Sequence, residues 1–417
     1  MTEAVTIAHR WNREYYPCGG AEKTYLLLEL KGAAAIQCER APINVGLILD
    51  RSGSMSGQPL AYSLKACQYV TDQMAEGDLL SMVAFDDEVE TVFSPEKVIY
   101  KDGMKSKIAA IEPGGSTNLS GGLILGAQYV AEAKQEGMVN RVLLLSDGYA
   151  NEGITDRGKL SRIAREYQSM GIGISALGVG HQFDEELMEG IADGGGGNFY
   201  YIEKPDDIPS IFAKELQGVL SVLGQNMRLK LQSTEAAELQ NVYGYKPVDQ
   251  KNGNMYNLGD IYDQEVKSLL IEMTFFPQTE GIHPILQLEL EYMDVTDSVK
   301  PCKVQLDISA SFTKDLELLA MPMDTIVEKQ MKITETALTI EKAMEAFDQG
   351  RNDAGITMLQ AQADDLLRMA VLTDDADLRT ESLLLYEQLE SFGEAPMTSE
   401  SRKALHSQKY RTMKRKS

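Results

Sequence analysis

At 417 residues the chain exceeds what one ordinary core holds, and about three domains is the expectation for that length. An apolar fraction of 43% and a charged fraction of 25% are those of a globular protein, not a fibrous or disordered one. Lys and Arg number 40 against 63 Asp and Glu, and the resulting net charge of -23 excludes nucleic acid and anionic membrane as partners of the protein body.

No charged segment followed by an apolar one opens the sequence, and no apolar run reaches spanning length; this predicts a cytoplasmic protein. The cysteines Cys18, Cys38, Cys67 and Cys302 contain no C-x-x-C pair and form no zinc signature. Cys67 falls on a predicted helix as a small buried hydrophobe. Cys18 and Cys38 are expected as free thiols.

Residues 1–41 read as strands at 4–9 and 24–31, with turn signals at Tyr16-Pro17 and Gly19-Gly20. About 40 residues cannot bury a core alone, so these strands must pair with something elsewhere in the chain.

From 42 to 223 strand and helix alternate. Strands are expected at 43–50, 79–85, 141–147, 172–179 and 198–202, with an edge strand at 89–93. Helices are expected at 60–75, 105–111, 122–134, 158–170, 184–192 and 206–223. Such alternation implies an α/β fold, a doubly wound and mostly parallel sheet with helices on both faces.

The first of these strands, I-N-V-G-L-I-L-D, has no charge before Asp50, as expected for a strand buried on both faces. Ser52 and Ser54 follow at alternate positions, with Gly53 and Gly57 allowing a tight turn. A carboxylate and two hydroxyls therefore leave one loop at the end of a strand. Hard cations such as Mg²⁺ take oxygen ligands, usually with only one or two carboxylates. A second loop, G-G-S-T-N-L-S-G-G at 114–122, contains Thr117, and a third apolar strand, R-V-L-L-L-S-D-G, ends at Asp147. Loops at the carboxyl ends of strands are where open α/β sheets place ligands.

D-x-S-x-S after a buried strand, followed by a Thr loop and a strand-terminal Asp, resembles the metal-ion-dependent adhesion site of von Willebrand factor A (VWA) domains. The resemblance covers 42–223. It extends to stand-alone bacterial cytoplasmic VWA proteins, which carry similar V-x-L-L-S-D-G and G-G-G-N-F-Y-Y-I stretches. It implies a Rossmann-like fold and a Mg²⁺ or Mn²⁺ ion held by Asp50, Ser52, Ser54, Thr117 and Asp147, with one position left for water or for an Asp or Glu of a partner protein. Ring-forming ATPases are a common class of such partners. It also implies that movement of these loops is linked to the last helix of the domain, here 206–223.

Taken singly, each residue has a plainer reading: Asp147 or Thr117 as a helix cap, and the serines as turn residues. Four glycines at 194–197 precede a strand rather than a helix and do not match a dinucleotide motif; they read as a flexible helix-to-strand connection. G-I-T-D-R-G-K at 153–159 begins like a P-loop, but Leu160 follows where a hydroxyl is required.

From 224 to 312 the pattern is all β, with strands at 227–231, 238–243, 268–275, 285–292 and 303–308 and turns at Asn252-Gly253, Pro277 and Gly281. A β-sandwich is expected, with 1–41 supplying its extra strands and the α/β domain inserted between the two parts. Residues 313–391 read as helices at 323–348, 353–372 and 375–389, in a packed bundle. Residues 392–417 are basic from Arg402 onward and read as a disordered tail, suited to the chain's own acidic surface or to an anionic partner.

The chain holds only four His, at 9, 181, 283 and 406, none in a metal-binding or catalytic cluster, and no G-x-S-x-G elbow. The expectation is a binding module rather than an enzyme. The alternative, a metal-dependent hydrolase of phosphate or ester substrates, needs a general base near a metal-bound water.

Overall fold

The computed structural model describes residues 4–32, 41–147, 150–180, 183–248, 254–296, 300–392 and 399–414. Cys38, His181 and the Asn252-Gly253 turn lie outside them. The chain opens with strands β1 (Val5–Trp11), β2 (Tyr15–Pro17) and β3 (Ala21–Gly32). It continues as β4 (Ile43–Asp50), α1 (Gln58–Gln73), β5 (Leu79–Phe85), β6 (Val89–Lys97), α2 (Lys101–Ala109), α3 (Leu119–Glu132), β7 (Val139–Ser146), α4 (Arg157–Ser169), β8 (Ile172–Val179), α5 (Glu185–Gly195), β9 (Gly196–Ile202) and α6 (Ile208–Leu220). Six more strands follow: β10 (Val222–Ser233), β11 (Ala237–Val242), β12 (Asn254–Tyr262), β13 (Val266–Phe275), β14 (Gly281–Asp294) and β15 (Lys300–Thr313). Helices α7 (Leu316–Leu319), α8 (Thr325–Asp348), α9 (Asn352–Thr373), α10 (Ala376–Phe392) and α11 (Ser399–Lys414) end it.

The middle strands form a sheet in the order β6-β5-β4-β7-β8-β9, parallel throughout except for the antiparallel edge strand β6. β4, β5, β7 and β8 are buried along their whole lengths, which explains their uninterrupted apolar runs. Helices cover both faces, one side packing around Leu47, Val70, Met82 and Phe212, the other around Ile48, Leu123, Leu144 and Ile191.

The remaining strands form two antiparallel-rich sheets, β1-β3-β13-β11 and β12-β10-β14-β15-β2, facing each other across one core that includes Leu28, Leu229, Ile271 and Leu290. The N-terminal strands thus find partners some 240 residues away, at the register Leu28 to Leu269. α8 rests on this sandwich through Val327 against Leu27 and Leu270.

Three expectations need correction. The glycines at 194–197 are not a loose connection. α5 runs through Gly195 and β9 starts at Gly196, because a Cβ at Gly194 would meet the Ser161 carbonyl at 2.5 Å and one at Gly197 the Ile174 carbonyl at 2.2 Å. Their role is close approach, of α5 to α4 at Gly194 and of β9 to β8 at Gly197. The expected last helix of the domain stops at Leu220, and β10 takes over from Val222.

The expected disordered tail needs correction over 399–414, which form the helix α11, packed against the domain; 393–398 and 415–417 lie outside the described residues. Tyr410 is buried against Phe199 at 5.6 Å between ring centroids, Lys403 lies over the Phe183 ring at 3.9 Å and pairs with Glu185 at 2.9 Å, and Arg402 pairs with Asp348 at 3.1 Å. Basic residues without local partners find an acidic surface elsewhere on the same chain. Among the described residues no helix is long and apolar enough to cross a membrane.

Candidate metal centre

The end of the parallel sheet where β4 and β7 stop carries the proposed ligands. β4 delivers Asp50 at its last position, fully buried. The chain then turns through a single 3₁₀ turn at Gly53–Met55, which anchors Met55 in the core and sets Ser52 and Ser54 on either side of Gly53. The Ser52 N–H donates to Asp50 Oδ1 at 2.8 Å, an Asx turn that aims the carboxylate back over its own loop.

Ser54 donates to Asp147 Oδ1 at 2.8 Å, and the Ser52 and Ser54 hydroxyls lie 3.2 Å apart. Ser146, the last residue of β7, donates to Asp50 Oδ2 at 2.5 Å. Asp50, Ser52, Ser54 and Asp147 are therefore one connected set of oxygens.

Thr117 is held by a different neighbour. Its N–H donates to Asn151 Oδ1 at 2.9 Å, and its carbonyl accepts from the N–H groups of Asn151 and Glu152 at 3.2 and 3.3 Å. Among the described residues the Thr117 hydroxyl makes no hydrogen bond to the other four side chains. The Thr117 loop is tied to the first loop by Gly53 N–H to the Gly115 carbonyl at 2.9 Å and Gly114 N–H to the Arg51 carbonyl at 2.7 Å. Asn118, the next residue, caps α3 by accepting from the Gly121 N–H at 2.9 Å.

Sequence reasoning missed Asp86, which lies between the strands expected at 79–85 and 89–93. Asp86 accepts from the N–H groups of Glu88 at 2.9 Å and Gly115 at 3.3 Å, receives Arg51 at 3.4 Å, and through its carbonyl accepts from Asn118 N–H at 2.7 Å. Burial works against its charge, but these donors outweigh it and hold its pKa below the ordinary carboxylate value. Ser146 was also missed, although its place beside Asp147 at the end of an apolar strand was a signal in plain view.

The two central carboxylates behave differently. Burial pushes Asp50 up, against the pull of its Ser146 and Ser52 bonds, and the Asp86 charge adds to the rise. Burial also raises Asp147, to about 6; its Ser54 bond opposes this and the Asp50 charge reinforces it. Among the described residues no Lys, Arg or His lies within ion-pair distance of either. Arg51, the nearest cation along the chain, is turned to Asp86 and Glu90. Two buried carboxylates without a counter-charge, ringed by serine hydroxyls, suit a hard divalent cation.

This fold, with the candidate loops at the carboxyl end of a parallel sheet, defines a class: residues 44–214 match the von Willebrand factor type A domain model, and the chain contains such a domain. A protein of Synechocystis sp., itself uncharacterized, is 28% identical over 345 residues, covering 78% of this chain and 78% of that one. The uncharacterized YfbK of Escherichia coli is 25% identical over 269 residues, covering 63% of this chain but 47% of its own length.

Among solved structures, a von Willebrand factor type A protein from Catenulispora acidiphila superposes with a TM-score of 0.78 at 17% identity, over 99% of this chain and 97% of that one. The ArnB paralog VWA2 from Sulfolobus acidocaldarius does so at 0.68 and 17%, over 99% and 98%. Both likenesses extend over sandwich, sheet and helices together, as a likeness of fold.

Proposed function

We propose that the chain is a metal-dependent protein-binding module. Asp50, Ser52, Ser54, Thr117 and Asp147 would hold a divalent ion, Mg²⁺ or Mn²⁺, and the partner would present an Asp or Glu to it. The observation that carries this reading is the pair of buried carboxylates, Asp50 and Asp147, both raised by burial, Asp147 also by the Asp50 charge and Asp50 by that of Asp86, with no cation beside them among the described residues. A bound ion supplies the missing positive charge and, held largely by neutral oxygens, retains enough of it to attract an outside carboxylate.

The chain's own residues do the positioning. Ser146 and the Ser52 N–H fix the Asp50 carboxylate, Ser54 fixes Asp147, and Asp86 fastens the Thr117 loop to the first loop. A ring-forming ATPase is the kind of partner we favour, on resemblance alone. Hydrolysis at the same ion lacks support: of the described histidines, His9 is on β1, His283 on β14 and His406 on α11, none of them on the three site loops.

The test uses a carboxylate-bearing partner captured by the wild type in Mg²⁺. Loss on chelation and in Asp50→Ala, with retention after metal is restored to the wild type, supports the reading. Equal capture with and without chelator removes the metal from it.

A further inference from the structure

β15 is a long strand with a short neighbour. Its 14 residues pair with β14 along one side. Among the described residues the other side meets only β2, over 311–313. That leaves 301–307 with an unpaired backbone edge, the kind of edge that invites another strand.

Two contacts show which groups face the open side. The Ser309 carbonyl accepts from Trp11 Nε1 at 2.8 Å, and the Thr313 carbonyl accepts from the Cys18 N–H at 3.3 Å on the β2 side. Along an antiparallel strand a residue's N–H and C=O share one side, and the sides alternate. The exposed-inward alternation runs unbroken from Lys300 to Phe312. Lys303, Gln305 and Asp307 therefore direct their backbone groups to the open edge and their side chains to solvent.

We propose that two copies of the chain pair β15 to β15, antiparallel, about a two-fold axis at Gln305. In that register Lys303 of each copy faces Asp307 of the other, Gln305 faces its counterpart, and on the core side Val304 faces Leu306. Each outward pair can exchange two backbone hydrogen bonds. Lys303 is already held on this face by Glu289 at 2.7 Å and Glu291 at 3.3 Å, whereas among the described residues no cation lies within ion-pair distance of Asp307. The second copy supplies it.

Pro301 lacks an N–H, and it falls opposite Ser309, whose carbonyl Trp11 already fills. The missing donor thus meets an occupied acceptor. Pro and Lys on an edge also serve to discourage pairing; centred on Lys303 or on Asp307 they would do so, because like charges would then face each other. Centred on Gln305 the same residues complement one another. The result is one continuous sheet running through both sandwiches.

Sedimentation velocity of the full chain over a concentration series tests this. The net charge of -23 opposes association at long range, so the ionic strength is set near physiological, where the Debye length is about 8 Å. A concentration-dependent dimer is expected. Gln305→Pro removes the N–H on the open side, together with the exposed hydrogen bond from Gln305 Nε2 to Glu289 at 2.7 Å, and should weaken the dimer at least tenfold, whereas Gln305→Ala, which loses the side-chain bond but keeps the N–H, should not; Asp307→Lys should weaken it as well and decides the matter if the proline variant folds poorly.

With Cys18, Cys38 and Cys302 replaced by Ser, Q305C should oxidise to a covalent dimer while K303C and D307C do not, because only the axial position faces its own copy. A chain that stays monomeric, a dimer indifferent to Gln305→Pro and Asp307→Lys, or equal cross-linking at all three positions overturns the proposal. A monomer that binds a foreign extended peptide at this edge overturns it too.

Discussion

The two ends of the parallel sheet treat charge in opposite ways. At the end facing the sandwich, Arg141 of β7 is fully buried, yet it meets Asp260 of β12 at 2.6 Å. Close by, Glu215 of α6 accepts from Ser175 at 2.5 Å, Asn198 at 2.7 Å and Tyr200 at 2.8 Å. Burial works against the Arg141 charge, but Tyr262, Asp260 and Glu215 outweigh it and hold its pKa above the ordinary guanidinium value. About 20 Å along the strand, at roughly 3.3 Å per residue, Asp50 and Asp147 are buried without any such partner among the described residues. One end is closed by the protein itself and joins two domains. The other is left one cation short, which is what a site for a dissociable ion requires.

Breaking the closed end should have the largest effect. Arg141→Leu leaves Asp260 buried without its cation and should cost about 3–5 kcal/mol in urea unfolding. Neutralising the open end should do the reverse: Asp147→Asn keeps an acceptor for Ser54, removes the repulsion with Asp50, and should stabilise the metal-free chain by about 1–3 kcal/mol at neutral pH. A metal-free variant less stable than the wild type would mean that Asp147 is already compensated.

The pH profile sharpens the contrast. Asp147 has a folded-state pKa of about 6 against an ordinary 3.8. The folded state therefore keeps that proton longer, and this group's contribution to metal-free stability is fully present below pH 3.8 and lost as pH rises to about 6. Divalent-ion affinity, by the same linkage, should rise over that range. A thermal-melt series with and without chelator reads both slopes. The smallest effect is expected from Asn118→Ala, which removes the α3 cap beside Thr117: about 1 kcal/mol of stability and a modest weakening of metal affinity, measurable by titration.

How much was legible in the sequence follows the same division. β4 was readable because a strand buried on both faces needs only an uninterrupted apolar run, and the oxygen-bearing residues announce themselves by spacing just beyond it. β12, N-M-Y-N-L-G-D-I-Y, was not found, since Gly259 and Asn257 break its alternation. Its Asp260 is buried only because Arg141, 119 positions earlier, meets it. The helix expected to reach residue 223 ends at Leu220 because L-S-V-L reads equally as helix or strand and only the pairing of β10 with β12 and β14 decides. Asp86 was invisible for a related reason: its importance lies largely in backbone N–H groups of its own loop and of the Thr117 loop, which carry no sequence signature.

Isothermal titration of the metal-stripped chain with Mg²⁺ and with Mn²⁺, wild type beside Asp50→Asn, tests the central claim most directly. One site per chain in the wild type, at least tenfold weaker in the variant and weakened as the pH falls below about 6, is the expected result. Saturation that is indifferent to Asp50, or no binding by either ion, would contradict it.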